Sequence, residues 1–306
     1  MSAIAPPDTT SAAPPERVWQ TSRHRIDLSR VQVMGIVNVT PDSFSDGGCD
    51  VSAALAHCER LIAEGADMLD IGGESSRPGA ASVDVDAELA RVLPVLRAAL
   101  ALGVPVSIDT CKTEVMRAAL DLGVDIVNDI QSLQAPGAVE LVASHPNCGV
   151  CLMHMRGEPR SMQVDPVYAD VVAEVAAFLD QRAGLLRARG VAANRITLDP
   201  GIGFGKTVAH NFALLAGQRA LLALGYDVLA GWSRKSSIGV ITGRPVGERL
   251  VGSVAAALAA VQFGARIVRV HDVAATADAL EVWAAAGLPG AAASERPGHL
   301  PALPIA

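Results

Sequence analysis

The chain has 306 residues, of which 50% are hydrophobic and 19% are charged, so it can bury a large apolar core. Its formal net charge is −7, its pI is about 5.5 and no basic run occurs, which argues against nucleic acid as a main partner. No stretch of about 18 uninterrupted apolar residues is present, so we expect no membrane-spanning segment.

Both ends of the chain have the composition of disordered tails. Residues 1–22 are rich in proline, serine and alanine and lack the basic-then-apolar order of a signal peptide. Residues 289–306 have a similar composition. The five cysteines are an odd number without a framework pattern, which favours a reducing compartment. We therefore predict a cytoplasmic protein with one folded domain over residues 23–288.

One unit recurs between these tails: an amphipathic helix, a glycine that ends it, and a short hydrophobic strand that ends in a polar residue. In the first helix the apolar residues form one stripe; they are Val51, Ala54, Leu55, Cys58, Leu61 and Ile62. The glycines that can close a helix in the left-handed conformation are Gly65, Gly103, Gly123, Gly190, Gly225 and Gly264. The predicted strands are residues 33–37, 68–71, 106–108, 126–127, 150–153, 196–198, 228–230 and 267–270.

This alternation predicts the fold class. Strands that alternate with helices pair in parallel through right-handed crossovers. Eight such units in roughly 250 residues match a single-domain α/β fold, a closed (β/α)8 TIM barrel. An open doubly wound sheet is the alternative arrangement of the same units.

Polar residues stand at nearly every predicted strand end, where a βα barrel carries its catalytic groups. They are Asn38, Asp70, Asp109, Asn128, Asp129, His154, Asp199, Ser233, Arg234, Lys235, Arg269 and His271. Among them, Asp109, Asn128 and Asp199 offer the acceptors and the amide that bind the N–H and C=O edge of a planar nitrogen heterocycle.

Cationic groups follow the last two predicted strands. Lys235, Arg269 and His271 lie where barrels often bind phosphate. A heterocycle joined to a phosphate ester is therefore the predicted kind of substrate.

Two motifs suggest other chemistry, a nucleotide-binding loop and a metal site, but each lacks residues that this chemistry requires. Gly205-Lys206-Thr207 ends like a nucleotide-binding P-loop, but Pro200 occupies the position of its first glycine. We interpret this loop as a close backbone approach to a flat ligand, with Phe204 available to stack. Cys148 and Cys151 have C-x-x-C spacing, but no second cysteine or histidine pair completes a tetrahedral metal site, and residues three apart on a strand face opposite sides.

The motifs at the strand ends resemble those of dihydropteroate synthases. The resemblance covers about residues 31–283 and rests on seven motifs in order: Val37-Asn-Val-Thr-Pro-Asp-Ser-Phe-Ser-Asp-Gly-Gly48, Asp70-Ile-Gly-Gly-Glu-Ser-Ser-Arg-Pro-Gly79, Ser107-Ile-Asp-Thr110, Val127-Asn-Asp-Ile130, Leu198-Asp-Pro-Gly-Ile-Gly-Phe-Gly-Lys206, Ser233-Arg-Lys-Ser236 and Arg269-Val-His-Asp-Val273. Ser76 stands where the family more often has threonine, and Ser237 where a bulkier residue is common. Neither departure touches the charged residues.

The resemblance implies a reaction and a set of roles. Such enzymes join 6-hydroxymethyl-7,8-dihydropterin diphosphate to p-aminobenzoate, releasing pyrophosphate and forming 7,8-dihydropteroate for folate synthesis. The residues that it implies for the pterin are Asp109, Asn128, Asp199, Lys235 and Phe204. Those implied for the diphosphate are Asn38, Ser76, Arg269 and His271, with Asn38 beside Mg²⁺. Those implied for p-aminobenzoate are Ser76, Pro78, Phe204, Lys235 and Ser236.

The implied catalytic residues are Asp46 and Arg77 on two mobile loops, together with Asp199 and Lys235. Because an arylamine is a weak nucleophile, we expect the pyrophosphate to depart largely before attack, leaving a cation-like CH₂ group that Asp109 and Asp199 stabilise. The family also implies a homodimer, and the small residues of the helix after the seventh predicted strand suit close helix packing; they are Gly252, Ser253, Ala255, Ala256, Ala257, Ala259 and Ala260.

Two other functions share the barrel and the pterin-edge residues. A pterin-binding methyltransferase that serves a corrinoid protein would have little use for the Ser76-Arg-Pro-Gly79 loop or for Arg269 and His271. A catalytically silent pterin-binding paralogue would not need to keep Asn38, Arg77 and Lys235. The sequence therefore favours the synthase reaction.

Overall fold

Eight parallel strands close into a barrel in the computed structural model of the chain, which describes residues 17–40, 51–75, 79–80, 82–158 and 161–288. Two strands precede the barrel, β1 (Val18–Gln20) and β2 (Arg25–Asp27). The eight barrel strands are β3 (Gln32–Asn38), β4 (Met68–Gly72), β5 (Val106–Asp109), β6 (Ile126–Asp129), β7 (Gly149–Met153), β8 (Ile196–Asp199), β9 (Asp227–Ala230) and β10 (Ile267–Val270). The α-helices are α1 (Val51–Ala63), α2 (Val85–Ala99), α3 (Thr113–Asp121), α4 (Ala138–Ser144), α5 (Val171–Arg187), α6 (Val208–Ala216), α7 (Arg219–Leu222), α8 (Ser236–Thr242), α9 (Leu250–Gln262) and α10 (Val273–Ala285). Short 3₁₀ helices span Leu100–Leu102, Ala193–Arg195 and Val246–Glu248.

The barrel confirms the predicted fold class. Its strands follow the chain order from β3 to β10, and β10 pairs with β3 through Val268 and Val33, so the sheet has no open edge. This pairing excludes the open doubly wound sheet. The six predicted stop glycines all adopt left-handed φ values between +81° and +102°, which a side chain would disfavour.

The strands extend further toward their polar ends than predicted. Asp109, Asn128 and Asp199 belong to β5, β6 and β8 instead of the loops beyond them. The parallel ladder continues far enough to pair Asp109 with Asn128. Their backbones are therefore held by the sheet, which positions a side chain more rigidly than a loop does.

Alternating side chains divide the apolar interior into two layers. One layer fills the barrel and includes Met34, Met68 and Ile126, while the larger layer lies between the strands and the helices. Cys151 belongs to the inner layer and Cys148 to the outer one, so the C-x-x-C pair faces opposite sides. Within the described residues no group of three or more histidine, cysteine or acidic side chains could hold a metal ion.

A β-hairpin, β1–β2, covers the N-terminal end of the barrel. Trp19 is 1% exposed, packs on the inner layer, and donates from Nε1 to the carbonyl oxygen of Arg195 at 3.0 Å. Residues 18–22 therefore do not belong to the tail predicted over 1–22, because this buried ring and the strand pairing of Val18 with Asp27 hold them in place. Residues 1–16 and 289–306 lie outside the described residues. None of the helices in the described part of the chain is both long and apolar enough to cross a membrane.

Candidate active site

An arginine bound by two carboxylates lies at the C-terminal end of the barrel. Arg269 on β10 donates from Nε to Asp70 Oδ2 and from Nη2 to Asp109 Oδ2, each at 2.6 Å. Asn128 Nδ2 donates to the same Asp70 oxygen at 3.0 Å. Four strands thus meet in one hydrogen-bonded cluster, because parallel strands bring their carboxyl ends together.

The charges in this cluster depend on one another. Burial alone would lower the pKa of Arg269, but Asp70 and Asp109 raise it above its usual value. Burial raises the pKa of Asp109 to about 7, and Asp70 adds to this rise, while Arg269 opposes it. Asp70 is fully buried, and its Oδ2 accepts from both Arg269 and Asn128, a role that its position at a strand end does not reveal.

Three acceptor oxygens at the barrel mouth have no hydrogen-bond partner among the described residues. Asp109 uses Oδ2, Asn128 uses Nδ2 and Asp199 uses Oδ1 for bonds within the protein. This leaves Asp109 Oδ1, Asn128 Oδ1 and Asp199 Oδ2, none of which is among the fully buried orphan atoms. The cluster can therefore accept several N–H groups from one bound molecule.

A lysine and an aromatic ring face this set of acceptors. Asp199 Oδ1 accepts from the backbone N–H of Gly201 at 2.7 Å, which fixes the carboxylate at the end of β8. Lys235 lies just after β9, with its Nζ 4.1 Å from the centre of the Phe204 ring. Burial lowers the pKa of Lys235 to about 8, while Asp199 acts in the opposite direction.

The loops after β9 and β10 are joined by hydrogen bonds. Ser233 Oγ accepts from the backbone N–H of His271 at 3.1 Å and lies 3.0 Å from its Nδ1. Arg234 forms two hydrogen bonds to Asp272, from Nε at 3.0 Å and from Nη2 at 2.5 Å. Arg234 itself adopts a left-handed φ of +59°, an unusual conformation for a residue other than glycine, and Lys235 follows it at the start of α8.

The remaining predicted residues fall into two groups. Asn38 ends β3, and Ser236 is the first residue of α8 and is exposed. The Asn38 side chain has no hydrogen-bond partner in the described part of the chain. The other predicted residues lie outside the described residues; they are Asp46, Ser76, Arg77 and Pro78.

A cavity of about 300 Å³ opens beside Asp109, between the loops that follow β4, β5 and β6. Lys112 lines it and forms ion pairs with Glu74 and Glu88, the latter fully buried. Burial would lower the pKa of Lys112, but the hydrogen bonds to both glutamates raise it. Gly73 lies against α2 so closely that a Cβ would come within 2.7 Å of a Val92 methyl group. These contacts fix the chain just after β4, at Gly73 and Glu74.

The structure thus brings most of the predicted residues together and adds others. Asp109, Asn128 and Arg269 form one cluster, Asp199, Phe204 and Lys235 form a second, and His271 joins Ser233. The residues that sequence reasoning left without a role are Asp70, Lys112, Ser233 and Lys206. The positions of Asp70 and Ser233 at predicted strand ends already indicate a place at the barrel mouth, whereas no sequence pattern predicts the pairing of Lys112 with Glu88.

Comparison with known proteins identifies relatives over almost the whole chain. The sequence profile of a family described as pterin binding enzyme matches residues 34–271. A dihydropteroate synthase of Neisseria meningitidis serogroup C is 55% identical over 277 residues, covering 89% of this chain and 98% of the relative.

Solved structures show the same similarity. Dihydropteroate synthase of Xanthomonas albilineans, solved with 4-aminobenzoic acid, is 51% identical with a TM-score of 0.84, over 89% of this chain and 98% of the other. The Burkholderia cenocepacia dihydropteroate synthase, solved with 7,8-dihydropteroate, is 52% identical with a TM-score of 0.80, over 89% and 97% of the two chains.

The pairing of Lys112 with buried Glu88 can be tested by stability measurements. We expect Lys112→Met to lower the free energy of unfolding by roughly 3–5 kcal/mol, because it leaves a buried carboxylate without its partner. Adding Glu88→Gln should recover part of this loss, since the buried charge is then also removed. Urea unfolding of the two single variants and the double variant measures the coupling. Strictly additive effects would show that the two residues do not depend on each other.

Proposed function

Because the chain belongs to the pterin-binding enzymes and, within them, to the dihydropteroate synthases, we propose that it condenses 6-hydroxymethyl-7,8-dihydropterin diphosphate with p-aminobenzoate to give 7,8-dihydropteroate and pyrophosphate. It is thus an enzyme, a transferase, and its substrates are small molecules. The observation that carries the proposal is the set of three accessible acceptor oxygens on Asp109, Asn128 and Asp199, opposite the amine of Lys235.

The pterin occupies the barrel mouth in this proposal. Its amino group and ring N–H groups are donors, which match the acceptor oxygens of Asp109, Asn128 and Asp199. Its carbonyl oxygen and unprotonated ring nitrogens are acceptors, which match the ammonium of Lys235. Phe204 is 8% exposed and offers a flat apolar surface next to that ammonium.

The diphosphate lies toward β10 and β3. Arg269 uses Nε and Nη2 for the two carboxylates, and its Nη1 carries no hydrogen bond to a described residue. That N–H and His271 on the adjacent loop face the phosphate oxygens, and the family resemblance adds Ser76, which lies outside the described residues. Because Asp70 and Asp109 hold the guanidinium of Arg269 in position, the cation is in place before the substrate arrives.

The residues at the mouth fit a Mg²⁺ ion that enters with the diphosphate. Mg²⁺ commonly takes one or two protein oxygens, completing its octahedron with water and substrate phosphates. Asn38, at the end of β3, offers an amide oxygen without a partner in the described part of the chain, and would hold the ion. The ion would supply charge neutralisation at the leaving pyrophosphate.

The arylamine approaches on the side of α8. Lys235 and Ser236 lie at the N-terminus of α8, and the Phe204 ring lies against the ammonium of Lys235. The family resemblance assigns Ser76 and Pro78 to this pocket and implies closure by the segments with Asp46 and Arg77, all of which lie outside the described residues. Closure excludes water, which would otherwise compete with the arylamine for the reactive carbon.

The chemistry follows from where the charges lie. The C–O bond to the diphosphate breaks as negative charge builds on pyrophosphate, which Arg269 and His271 stabilise. The CH₂ group that remains is conjugated with the pterin ring and carries cationic character, which Asp109 and Asp199 stabilise. The aniline nitrogen then forms the new C–N bond and loses one of its two protons, which the released pyrophosphate or water takes up. Asp199 and Lys235 are catalytic here because they hold the ring on which the positive charge develops.

The direct test is an assay of the complete reaction. Purified protein supplied with the pterin diphosphate, p-aminobenzoate and Mg²⁺ should release pyrophosphate and form 7,8-dihydropteroate. Omitting p-aminobenzoate is the control, and chelating the metal should reduce the rate. Absence of pyrophosphate release with all components present would overturn the synthase proposal. It would leave the methyltransferase and the silent paralogue, which do not consume an arylamine.

Lys235 gives a second test with a defined pH dependence. Lys235→Ala should weaken the use of both substrates and lower the rate by about 10²–10³, the usual loss for one preorganised contact. A lysine is charged only below its pKa, and burial lowers that of Lys235 to about 8, so wild-type pterin affinity should fall as the pH rises through about 8. Lys235→Arg should keep its affinity over the same range, because arginine stays charged.

Wild type and Lys235→Arg should be compared above pH 7. Asp109 has a pKa of about 7, so its protonation makes the pterin affinity fall as the pH is lowered below that value, which is the opposite trend. Titration of 6-hydroxymethylpterin into wild type and Lys235→Arg provides the measurement. Identical pH profiles for the two proteins would contradict the role given to the Lys235 charge.

The homodimer that the family resemblance implies has a matching surface on this chain. Apolar side chains are exposed on and between α8 and α9, including Val240 at 67%, Val246 at 59% and Val251 at 80%. On α9, Gly252 lets α8 of the same chain pack closely, since a Cβ there would lie 2.4 Å from an Ile238 methyl group. We place the dimer interface on this surface.

A charge at the centre of the surface should separate the protomers. We expect Val251→Glu to be monomeric, because dimer formation would bury an unpaired carboxylate. Val164→Glu is a matched control, since Val164 is also 80% exposed and lies elsewhere. Light scattering coupled to size-exclusion chromatography measures the mass of each. A dimeric Val251→Glu, or a monomeric wild type, would contradict this interface.

A further inference from the structure

Lys206, which has the sequence position of a P-loop lysine, is buried, and its side chain points into its own loop. Lys206 is 2% exposed. Its Nζ donates to the carbonyl oxygens of Gly201 and Phe204, each at 3.0 Å, and to that of His154 at 3.2 Å. It also lies 2.9 Å from His154 Nδ1. In a P-loop the lysine reaches the phosphates of a bound nucleotide, whereas this ammonium binds four acceptors of the protein.

The histidine partner acts as a neutral acceptor. Burial, together with the charges of Lys206 and Arg156, lowers the pKa of His154 to about 3, so its imidazole is neutral at neutral pH. Because the ammonium of Lys206 can only donate, the nitrogen that faces it, Nδ1, is assigned as the unprotonated acceptor. Burial also lowers the pKa of Lys206 to about 7, while Asp199 opposes this.

Glycines allow the loop to close around the ammonium. Gly201, Gly203 and Gly205 have left-handed φ values of +69°, +82° and +63°. A Cβ on Gly201 would lie 1.8 Å from the His154 carbonyl oxygen, and one on Gly205 would lie 2.3 Å from that of Arg156. The loops after β7 and β8 are thus packed backbone to backbone, with the ammonium of Lys206 between them.

The groups held by this ammonium connect directly to the pterin site. Gly201, whose carbonyl oxygen accepts from Lys206, donates its own N–H to Asp199 Oδ1 at 2.7 Å. Phe204, whose carbonyl oxygen also accepts from Lys206, carries the ring that lies 4.1 Å from Lys235 Nζ. A shift of either carbonyl group would move an acceptor or the ring that faces the ligand.

We propose that Lys206, with His154, is a positioning residue for the pterin site. Its ammonium, instead of a bound ligand, fills the interior of the glycine loop, residues 201–205, and thereby sets the positions of Asp199 and Phe204. Lys206 makes no contact with the substrate in this role. The inference rests on the proposed function, because it assumes that Asp199 and Phe204 bind the pterin ring.

The test separates the pterin half of the site from the phosphate half. Lys206→Met preserves the length of the side chain and removes the ammonium. It should weaken the binding of 6-hydroxymethylpterin by about 10–100-fold, because misplaced groups lose this much. The affinity for inorganic pyrophosphate should stay within about two-fold, since Arg269 and His271 lie on other strands. Calorimetric titration of each probe gives both values.

Thr207→Ala is the control for a loss of stability alone. Thr207 Oγ1 accepts from the backbone N–H of His210 at 3.1 Å and caps α6, so this variant loses a helix cap next to Lys206 and keeps the ammonium. Its affinity for 6-hydroxymethylpterin should match that of wild type. A folded Lys206→Met with wild-type pterin affinity, or an equal loss in Thr207→Ala, would overturn the proposal.

A pair of variants at His154 keeps the test decisive if Lys206→Met does not fold. His154→Asn retains an acceptor for Lys206 and should stay close to wild type, whereas His154→Leu removes it and should weaken pterin binding. Equal pterin affinity in the two variants would overturn the proposal. Wild-type protein that binds no 6-hydroxymethylpterin would overturn the proposed function itself, which distinguishes the two failures.

Discussion

The ion bridge from Arg269 to Asp70 and Asp109 is the constraint on which the site depends. Asp70 is fully buried and Asp109 is largely buried, which makes their charges costly unless a cation lies nearby. Arg269 supplies that cation through two separate N–H groups of its planar guanidinium, one for each carboxylate. The bridge also orients Asp109, so that one oxygen is used inside the protein and the other faces the mouth.

The neighbouring residues are arranged in the same way. Asn128 donates from its amino group to Asp70 and leaves its carbonyl oxygen accessible. Asp199 uses one carboxylate oxygen to accept from the N–H of Gly201. Each side chain is thus fixed by one contact and available through another. This arrangement is preorganised, because the protein has already oriented the groups that a ligand will meet.

The sequence predicts the fold because its signals are local and repeated. A stop glycine such as Gly123 and the apolar run after it need no distant information, and eight repeats leave few arrangements open. The strand-end rule also finds Asp109, Asn128 and Asp199, since position along a strand fixes the end of the barrel on which a residue lies. It does not find hydrogen-bond partners: the position of Lys206 inside its own loop depends on the backbone of His154, just after β7, which no sequence spacing encodes.

The hydrogen bond between Arg269 and Asp70 joins residues 199 positions apart, and β10 is the last strand to enter the barrel. While the polypeptide is being synthesised, the carboxylates of β4 and β5 exist long before the guanidinium that will separate them. Bringing those strands together at that stage places two acidic groups side by side without a cation, which opposes their complete pairing. A chain that lacks β10 therefore has neither a closed barrel nor the guanidinium that Asp70 and Asp109 share at its mouth.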